Sequence, residues 1–288
     1  GGGGINLGAN NLTVLGNYAG NKTSPNISGS GSLIKEGNGE LTISTLTPSY
    51  TGITDVRDGI VHLQSDLSSN EIIVRSGAVV ELASNIFINN LTIEPGGIFD
   101  QNDFSLTING DLNIEGEYIA TLGDEPLTVN GNVFVNGGNF YLPQANTGAL
   151  FLYSDFIKTA GNFIPGEGRL YFLGSENHIF QSNTTETIKY FRNDGSISIN
   201  SSIRIPESGE ILLQGVSQTQ ISTGVNLILE DYAWLIINSV NPCNVLGSII
   251  NQGTLGATIV SNNSNLIFNS SGEYQHNMTR SGLTNLGA

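Results

Sequence analysis

The chain has 288 residues, of which 38% are hydrophobic and 12% are charged, and its formal net charge is −15. That charge argues against nucleic acid and anionic membrane surfaces as partners, because both are bound through clustered Lys and Arg and the sequence has no such cluster. Glycine contributes 37 residues and Lys plus Arg only 10, so the straight side chains that favour helices are scarce. No apolar run approaches the roughly 18 residues of a membrane span.

Residues 31–61 carry regularly spaced glycine and apolar residues, and read GSLIKEGNGELTISTLTPSYTGITDVRDGIV. The stretch resembles the autotransporter-associated β-strand repeat, which has a Gly-x-Leu-x-Lys-x-Gly-x-Gly-x-Leu half, a loop, and a Tyr-x-Gly-x-Thr-x-Val half. The matching positions are Gly31, Leu33, Lys35, Gly37, Gly39, Leu41, Ile43, Tyr50, Gly52, Thr54, Val56 and Gly59. The resemblance implies a secreted β-helix on a bacterial cell surface.

A motif built from a β-branched residue, a turn glycine and an apolar residue then recurs. It starts at positions 56, 74, 93, 114 and 135, with steps of 18, 19, 21 and 21. Repetition with a period of roughly 20 residues indicates a repeat architecture. The motif predicts structural turn glycines at Gly59, Gly77, Gly96, Gly116 and Gly137.

Short runs with apolar residues at every second position separate these turns, which is the periodicity of β-strands. The clearest repeat consists of LTINGDLNIEG from Leu106 and LTVNGNVFVNG from Leu127, with a step of 21 between the two leucines. An antiparallel sandwich does not require such repetition, whereas a parallel β-helix stacks equivalent residues of successive coils. We therefore predict a single-stranded parallel β-helix, with Leu106 stacked on Leu127 and an amide ladder between Asn109 and Asn130.

The second half continues less regularly. KTAGNF at 158–163 echoes VNGGNF at 135–140, and further units start at positions 191, 205, 229, 250 and 268, with steps of 14, 24, 21 and 18. We predict about a dozen coils of roughly 18–24 residues. Regular coils occupy 1–145, and less regular coils occupy 146–288, with an insertion or kink near 150–200.

Residues 159–205 resemble a repeat of large surface proteins of Bacteroidetes-type bacteria, many of them exported by the type IX route. The residues that carry this resemblance are Gly161, Phe163, Pro165, Gly166, Gly168, Phe172, Gly174 and Ser175. It implies a stalk, adhesin or passenger, and names no ligand. The sorting domain expected of such a family is missing, so we expect this chain to be a segment of a larger protein.

The densest stretch of titratable residues contains Asp155, Lys158, Glu167, Arg169, Glu176 and His178, and all of these except Lys158 form a candidate polysaccharide site. Enzymes that degrade polysaccharides on β-helices need convergent carboxylates, often with Arg or Lys and calcium. The alternative interpretation is an insertion loop with ordinary solvated charges. Between 141 and 235 the aromatic residues also cluster, which suits either carbohydrate binding or core filling.

A weak calcium candidate lies in FDQNDF, where Asp100 and Asp103 offer oxygen ligands, although a plain turn explains the same residues. We expect no other cofactor. The single cysteine, Cys243, is predicted to be a small buried residue rather than a disulfide partner.

These observations favour a non-enzymatic extracellular segment, a stiff stalk or adhesin of a secreted or cell-surface bacterial protein, with cell-surface or matrix components, glycans among them, as partners. One alternative is a filament subunit that stacks head to tail through unpaired strand edges. Another is a carbohydrate-binding or polysaccharide-degrading β-helix.

Overall fold

The computed structural model describes residues 4–16, 22–23, 26–44, 48–120, 124–142, 148–215, 218–261 and 265–278. These residues form 36 β-strands and no helix, so helices of membrane-spanning length are absent from the described residues. The chain divides into two compact units. The first unit comprises Gly1–Gly148 and Ala160–Ile164, and the second comprises Ala149–Thr159 and Pro165–Ala288.

The first unit contains nineteen of the described strands, most of them short. They are β1 (Ile5–Asn6), β2 (Leu12–Leu15), β3 (Lys22–Thr23), β4 (Ile27–Gly29), β5 (Leu33–Glu36), β6 (Glu40–Ile43), β7 (Ser49–Tyr50), β8 (Thr54–Val56), β9 (Gly59–Leu63), β10 (Glu71–Val74), β11 (Ala78–Leu82), β12 (Ile86–Ile88), β13 (Asn90–Ile93), β14 (Ile98–Asp100), β15 (Leu106–Ile108), β16 (Leu112–Ile114), β17 (Glu117–Ile119), β18 (Leu127–Val129) and β19 (Val133–Tyr141).

Strands of the first unit pair in parallel with strands one coil away along the chain. One ladder joins β2, β5, β8, β10, β13, β16 and β19, and a second joins β6, β9, β11, β14, β17 and β19. A third contains β12, β15 and β18, in which Leu106 pairs with Leu127. The predicted stacking of these two leucines is confirmed, as is the predicted parallel β-helix.

The core of this unit consists of inward side chains stacked in columns. One column contains Leu33, Thr54, Ile72, Leu91, Leu112 and Val133. Each is at most 2% exposed. Burying an aliphatic side chain contributes about 1.5–3 kcal/mol. A single coil cannot cover its own apolar face, so this stabilisation depends on the coils above and below.

The second unit contains the remaining strands, with part of β21 belonging to the first unit. They are β20 (Ala149–Leu152), β21 (Phe156–Ile164), β22 (Arg169–Phe172), β23 (Asn177–Ser182), β24 (Glu186–Thr187), β25 (Tyr190–Asn193), β26 (Ser196–Ile199), β27 (Ile203–Ile205), β28 (Glu210–Gly215), β29 (Thr219–Ile221), β30 (Asn226–Leu229), β31 (Trp234–Ser239), β32 (Cys243–Val245), β33 (Ser248–Gly253), β34 (Thr258–Ser261), β35 (Leu266–Phe268) and β36 (Glu273–Met278).

Parallel ladders also build the second unit: β20, β22, β25, β28, β31 and β34 form one, and β24, β27, β30, β33 and β36 another. The step of 14 predicted between Phe191 and Ile205 is wrong as a coil length, because these residues lie on different ladders. Phe191 pairs with Ile211 and Ile205 with Leu229, so the coil steps at these positions are 20 and 24.

Candidate functional site

The five residues of the predicted polysaccharide site lie at the two ends of β22. Asp155 lies between β20 and β21, Glu176 lies at the corner between β22 and β23, and His178 is the second residue of β23. Glu167 and Arg169 lie at the start of β22, which is the opposite end of that strand. The structure therefore places the five in two separate groups at opposite ends of one strand rather than in one convergent group.

At the first of these corners, His178 is a buried structural residue. It is 1% exposed, and burial lowers its pKa below the ordinary value of 6.5, against the opposing effects of backbone hydrogen bonds at Ser154 and Leu173 and of the Asp155 charge. Asp155 Oδ1 accepts the backbone N–H of Ile179 at 2.8 Å. Both side chains thus join the corner between β20 and β21 to the corner between β22 and β23 and the start of β23.

At the other end of β22, the outward side chains form what we call the tyrosine–arginine face: Arg169, Tyr171, Tyr190, Arg192 and Glu210. In register, Arg169 pairs with Tyr190 and Tyr171 pairs with Arg192. Tyr190 pairs in turn with Glu210 on the next strand, β28. The Arg169 guanidinium carbon lies 5.5 Å from the Tyr190 ring centre, and that of Arg192 lies 5.6 Å from the Tyr171 ring centre. Such contacts contribute about 0.5–1 kcal/mol each at exposed sites.

Further contacts fix the charged groups of this face. Arg192 donates from Nε and Nη2 to both oxygens of Asp194, each at 2.7 Å, while Arg169 Nη1 donates to the Tyr171 hydroxyl at 3.2 Å. Together with Phe191 and Leu212, the face lines a groove of about 280 Å³. Trp234, which pairs with Glu210 on the next strand, is 44% exposed.

The aromatic residues between 141 and 235 occupy both buried and outward positions. Inside the second unit, Phe156 stacks on Phe180 with ring centres 5.4 Å apart, and Phe172 contacts Phe191 at 5.6 Å. Outside, Phe151 stacks on Tyr171 at 5.2 Å. Adjacent residues such as Tyr171 and Phe172 point to opposite faces because side chains alternate along a strand.

The weak calcium candidate forms a turn. Asp100 Oδ1 accepts the backbone N–H of Asn102 at 2.9 Å, and Asn102 has a positive φ of 50°, as Asn tolerates in turns. Among the described residues, no group of three or more His, Cys, Asp or Glu side chains is arranged to hold a metal ion. Cys243 is buried, and burial raises its pKa to about 12.

Two different requirements favour glycine at these turns: a positive φ, and a lack of space for a Cβ atom. Gly59, Gly77 and Gly96 have positive φ, and a Cβ at Gly59 would lie 2.3 Å from the Gly39 carbonyl oxygen. At the fifth predicted position the positive φ belongs to Gly138, the residue after Gly137.

Polar side chains join successive coils at several corners. Asp55, which is 2% exposed, accepts from Arg57 Nε and Arg75 Nε at 2.8 Å each. Asn130 Nδ2 donates to Asn109 Oδ1 at 3.3 Å, so the predicted amide contact is confirmed. Asp231 accepts backbone N–H groups of residues 254–256, which lowers its pKa to about 2.

Two buried lysines are features that the sequence did not indicate. Lys35 is 1% exposed, and its Nζ donates to the carbonyls of Glu36, Gly37 and Asp58 at 3.1, 2.5 and 3.1 Å. Burial lowers the Lys35 pKa, and the Asp58 charge opposes that shift. Lys158 is 2% exposed. The position of Lys35 in the Gly-x-Leu-x-Lys pattern was the only available signal, since it places the lysine on the same strand face as Leu33.

The fold defines the chain as a parallel β-solenoid repeat protein. Comparisons with family models, with curated proteins and with solved structures give no match.

Proposed function

We propose that this chain is a non-enzymatic structural segment of an extracellular bacterial surface protein, of the stalk or adhesin kind. The observation that carries the proposal is that charged side chains are paired between coils. Arg57 bonds Glu36 one coil away, Arg75 bonds Asp55 and Glu94 on either side, and Arg204 bonds Glu230.

Such pairs favour mechanical coupling over catalysis. A general acid or base must reach the substrate with which it exchanges a proton, whereas these carboxylates are bonded to guanidinium groups of the neighbouring coil. Apolar columns and polar corners thus act on the same contacts, those between one coil and the next. A segment built in this way resists local opening, which is the property that a stalk requires.

Two measurements test this proposal. Purified chain is expected to release no product from a panel of neutral and acidic polysaccharides, and protease treatment of intact source cells is expected to release its peptides. Polysaccharide turnover that is lost in Arg169→Ala would contradict the non-enzymatic assignment. Protection of all its peptides until the cells are lysed would contradict the surface location.

A second candidate function, glycan binding, is supported by the tyrosine–arginine face. Its groove has aromatic rings beside guanidinium donors and a carboxylate acceptor, Glu210. Sugar hydroxyls both donate and accept, so they complement such a mixed lining, while apolar sugar faces pack on aromatic rings. The net charge of −15 disfavours polyanionic glycans. A neutral polysaccharide therefore suits the groove best.

Affinity electrophoresis in gels containing a neutral glucan tests this second candidate. The double variant Tyr190→Ala/Trp234→Ala is expected to migrate as if the glucan were absent, while the wild type is retarded. Phe87→Ala, which removes an exposed aromatic ring of the first unit, is the matched control and is expected to be retarded like the wild type. Retardation by polygalacturonate alone would overturn the assignment to neutral glycans.

A further inference from the structure

Lys158 of β21 is buried beside the corner between β23 and β24, where it meets the exposed carboxamide of Asn183 and the buried carboxylate of Glu186. Lys158 Nζ lies 2.8 Å from Asn183 Oδ1 and 3.2 Å from Glu186 Oε1. The side chains of Lys158 and Glu186 are 2% and 6% exposed. Lys158 pairs in register with Ser182, so Asn183 is presented to it by the adjacent coil.

This ion pair differs from the others between described residues. Every other pair has at least one side chain that is more than a fifth exposed, for example Lys189–Glu167 at 23% and 52%. Moving two charges out of water is costly, so a buried pair of this kind is kept in close contact. Lysine attacks a carbonyl carbon as the neutral amine, so the attack needs a group beside Nζ that can accept its proton, and Glu186 Oε1 lies 3.2 Å away.

The carbonyl carbon of Asn183 is within reach of that amine. A C=O bond is about 1.2 Å long, so Cγ lies within about 4 Å of Nζ, and a small rotation brings it to the roughly 3–3.5 Å of a near-attack arrangement. Glu186 is held for proton transfer, because the hydroxyls of Ser182 and Thr184 both donate to its Oε1, the latter at 2.7 Å.

We propose that Lys158 and Asn183 join in an intramolecular isopeptide bond, with Glu186 as the acid–base group. Glu186 takes a proton from Lys158 Nζ, and the Nζ lone pair attacks Asn183 Cγ. The Cγ–Nζ bond forms, the Cγ–Nδ2 bond breaks, and Glu186 returns the proton to the departing nitrogen. A second proton passes from Nζ by way of Glu186 to the departing ammonia, so ammonium leaves, the carboxylate is regenerated, and nothing is oxidised or reduced. The product covalently joins two coils of the second unit.

Mass spectrometry tests the bond without reference to the proposed function. The denatured wild-type chain is expected to weigh about 17 Da less than its sequence, the mass of one ammonia. Digestion is expected to give one branched peptide that contains both Lys158 and Asn183. The branched peptide distinguishes the bond from a succinimide, which loses the same mass within a linear peptide.

Three variants sharpen the test. Glu186→Gln and Lys158→Arg are expected to have their full sequence mass, while Lys189→Arg, which alters the exposed Lys189–Glu167 pair, is expected to keep the deficit. The wild-type result decides the question even where a variant fails to fold. Separate linear peptides for Lys158 and Asn183 in the wild type would overturn the proposal.

Discussion

The two units are built on the same principle but use coils of different regularity. In the first unit, the ladder through Leu33, Ile72 and Leu112 advances in steps of 18 to 21 from coil to coil. In the second, the ladder through Leu170, Ile211 and Ile259 advances in steps of 20 to 24. The additional length of the second unit lies in its strands, since β28, β31 and β33 each have six residues whereas most strands of the first unit have two to five. Strand pairing in register is therefore maintained while the length of the coils varies.

The largest expected effect concerns the columns that both units share. Leu112→Ala in the first unit and Ile211→Ala in the second each remove buried side-chain volume, and each is expected to lower the free energy of unfolding by about 2–5 kcal/mol. Urea titration followed by circular dichroism measures this. Phe87→Ala, at a 55% exposed position, is the control and is expected to change little. A near-zero effect of Leu112→Ala would show that the columns do not stabilise the coils.

Next in size is the effect of corner geometry in the first unit. Gly59→Ala combines a left-handed φ of 74° with a Cβ clash, whereas Gly77→Ala has a φ of 84° but an open surrounding. Backbone strain costs about 1–3 kcal/mol, so both variants are destabilised and Gly59→Ala more strongly. Equal melting temperatures for the two variants would mean that the contact with Gly39 does not constrain the corner.

A smaller difference in the free energy of unfolding is expected between a variant that disrupts a buried ion pair and one that disrupts an exposed pair. Asp55→Asn removes the charge that accepts from Arg57 and Arg75, and is expected to cost about 1.5–3 kcal/mol. Glu167→Gln, at a 52% exposed position in the second unit, is expected to cost less than about 1 kcal/mol. Urea titration in low and high salt tests the ordering, and a larger loss for Glu167→Gln would reverse it.

The smallest expected effect is the pH dependence at one corner of the second unit. Because hydrogen bonds lower the folded-state pKa of Asp231 from 3.8 to about 2, its contribution to stability is present above about pH 4 and is lost as the pH falls toward 2. The melting temperature of the wild type should therefore fall more steeply across this window than that of Asp231→Asn. Parallel curves for the two proteins would contradict the assignment.

Much of the fold could be predicted because stacking repeats the same sequence requirement at each coil. Leu106 and Leu127 lie in nearly identical stretches of constant spacing, so their contact follows from the period. The step of 14 from Phe191 to Ile205 gave a wrong coil length, because these two residues begin similar strand motifs that lie on different ladders. With coil lengths that vary, a local motif does not reveal which ladder a strand joins.

The candidate sites could be predicted only in part. Alternation identifies the strand RLYF, but its apolar residues occupy both faces, so the sequence alone does not show that Tyr171 is outside and Phe172 inside. Lys158 reads as a solvated charge, since its partners Asn183, Thr184 and Glu186 come from the next coil. The burial of such a lysine depends on contacts separated by more than a whole coil of sequence, which no local pattern specifies.

The central claim, parallel in-register stacking of coils, is tested most directly by engineered disulfides. Thr107 and Thr128 pair in register on β15 and β18, so Thr107→Cys/Thr128→Cys should cross-link within one chain, because neighbouring strands are about 4.8 Å apart and a disulfide needs Cα atoms about 4.4–6.8 Å apart. Thr107→Cys/Thr92→Cys, with the second cysteine on the separate ladder of β13, should remain reduced under the same mild oxidation. Mass spectrometry that finds an intrachain bond in the second variant and none in the first would contradict the stacking described above.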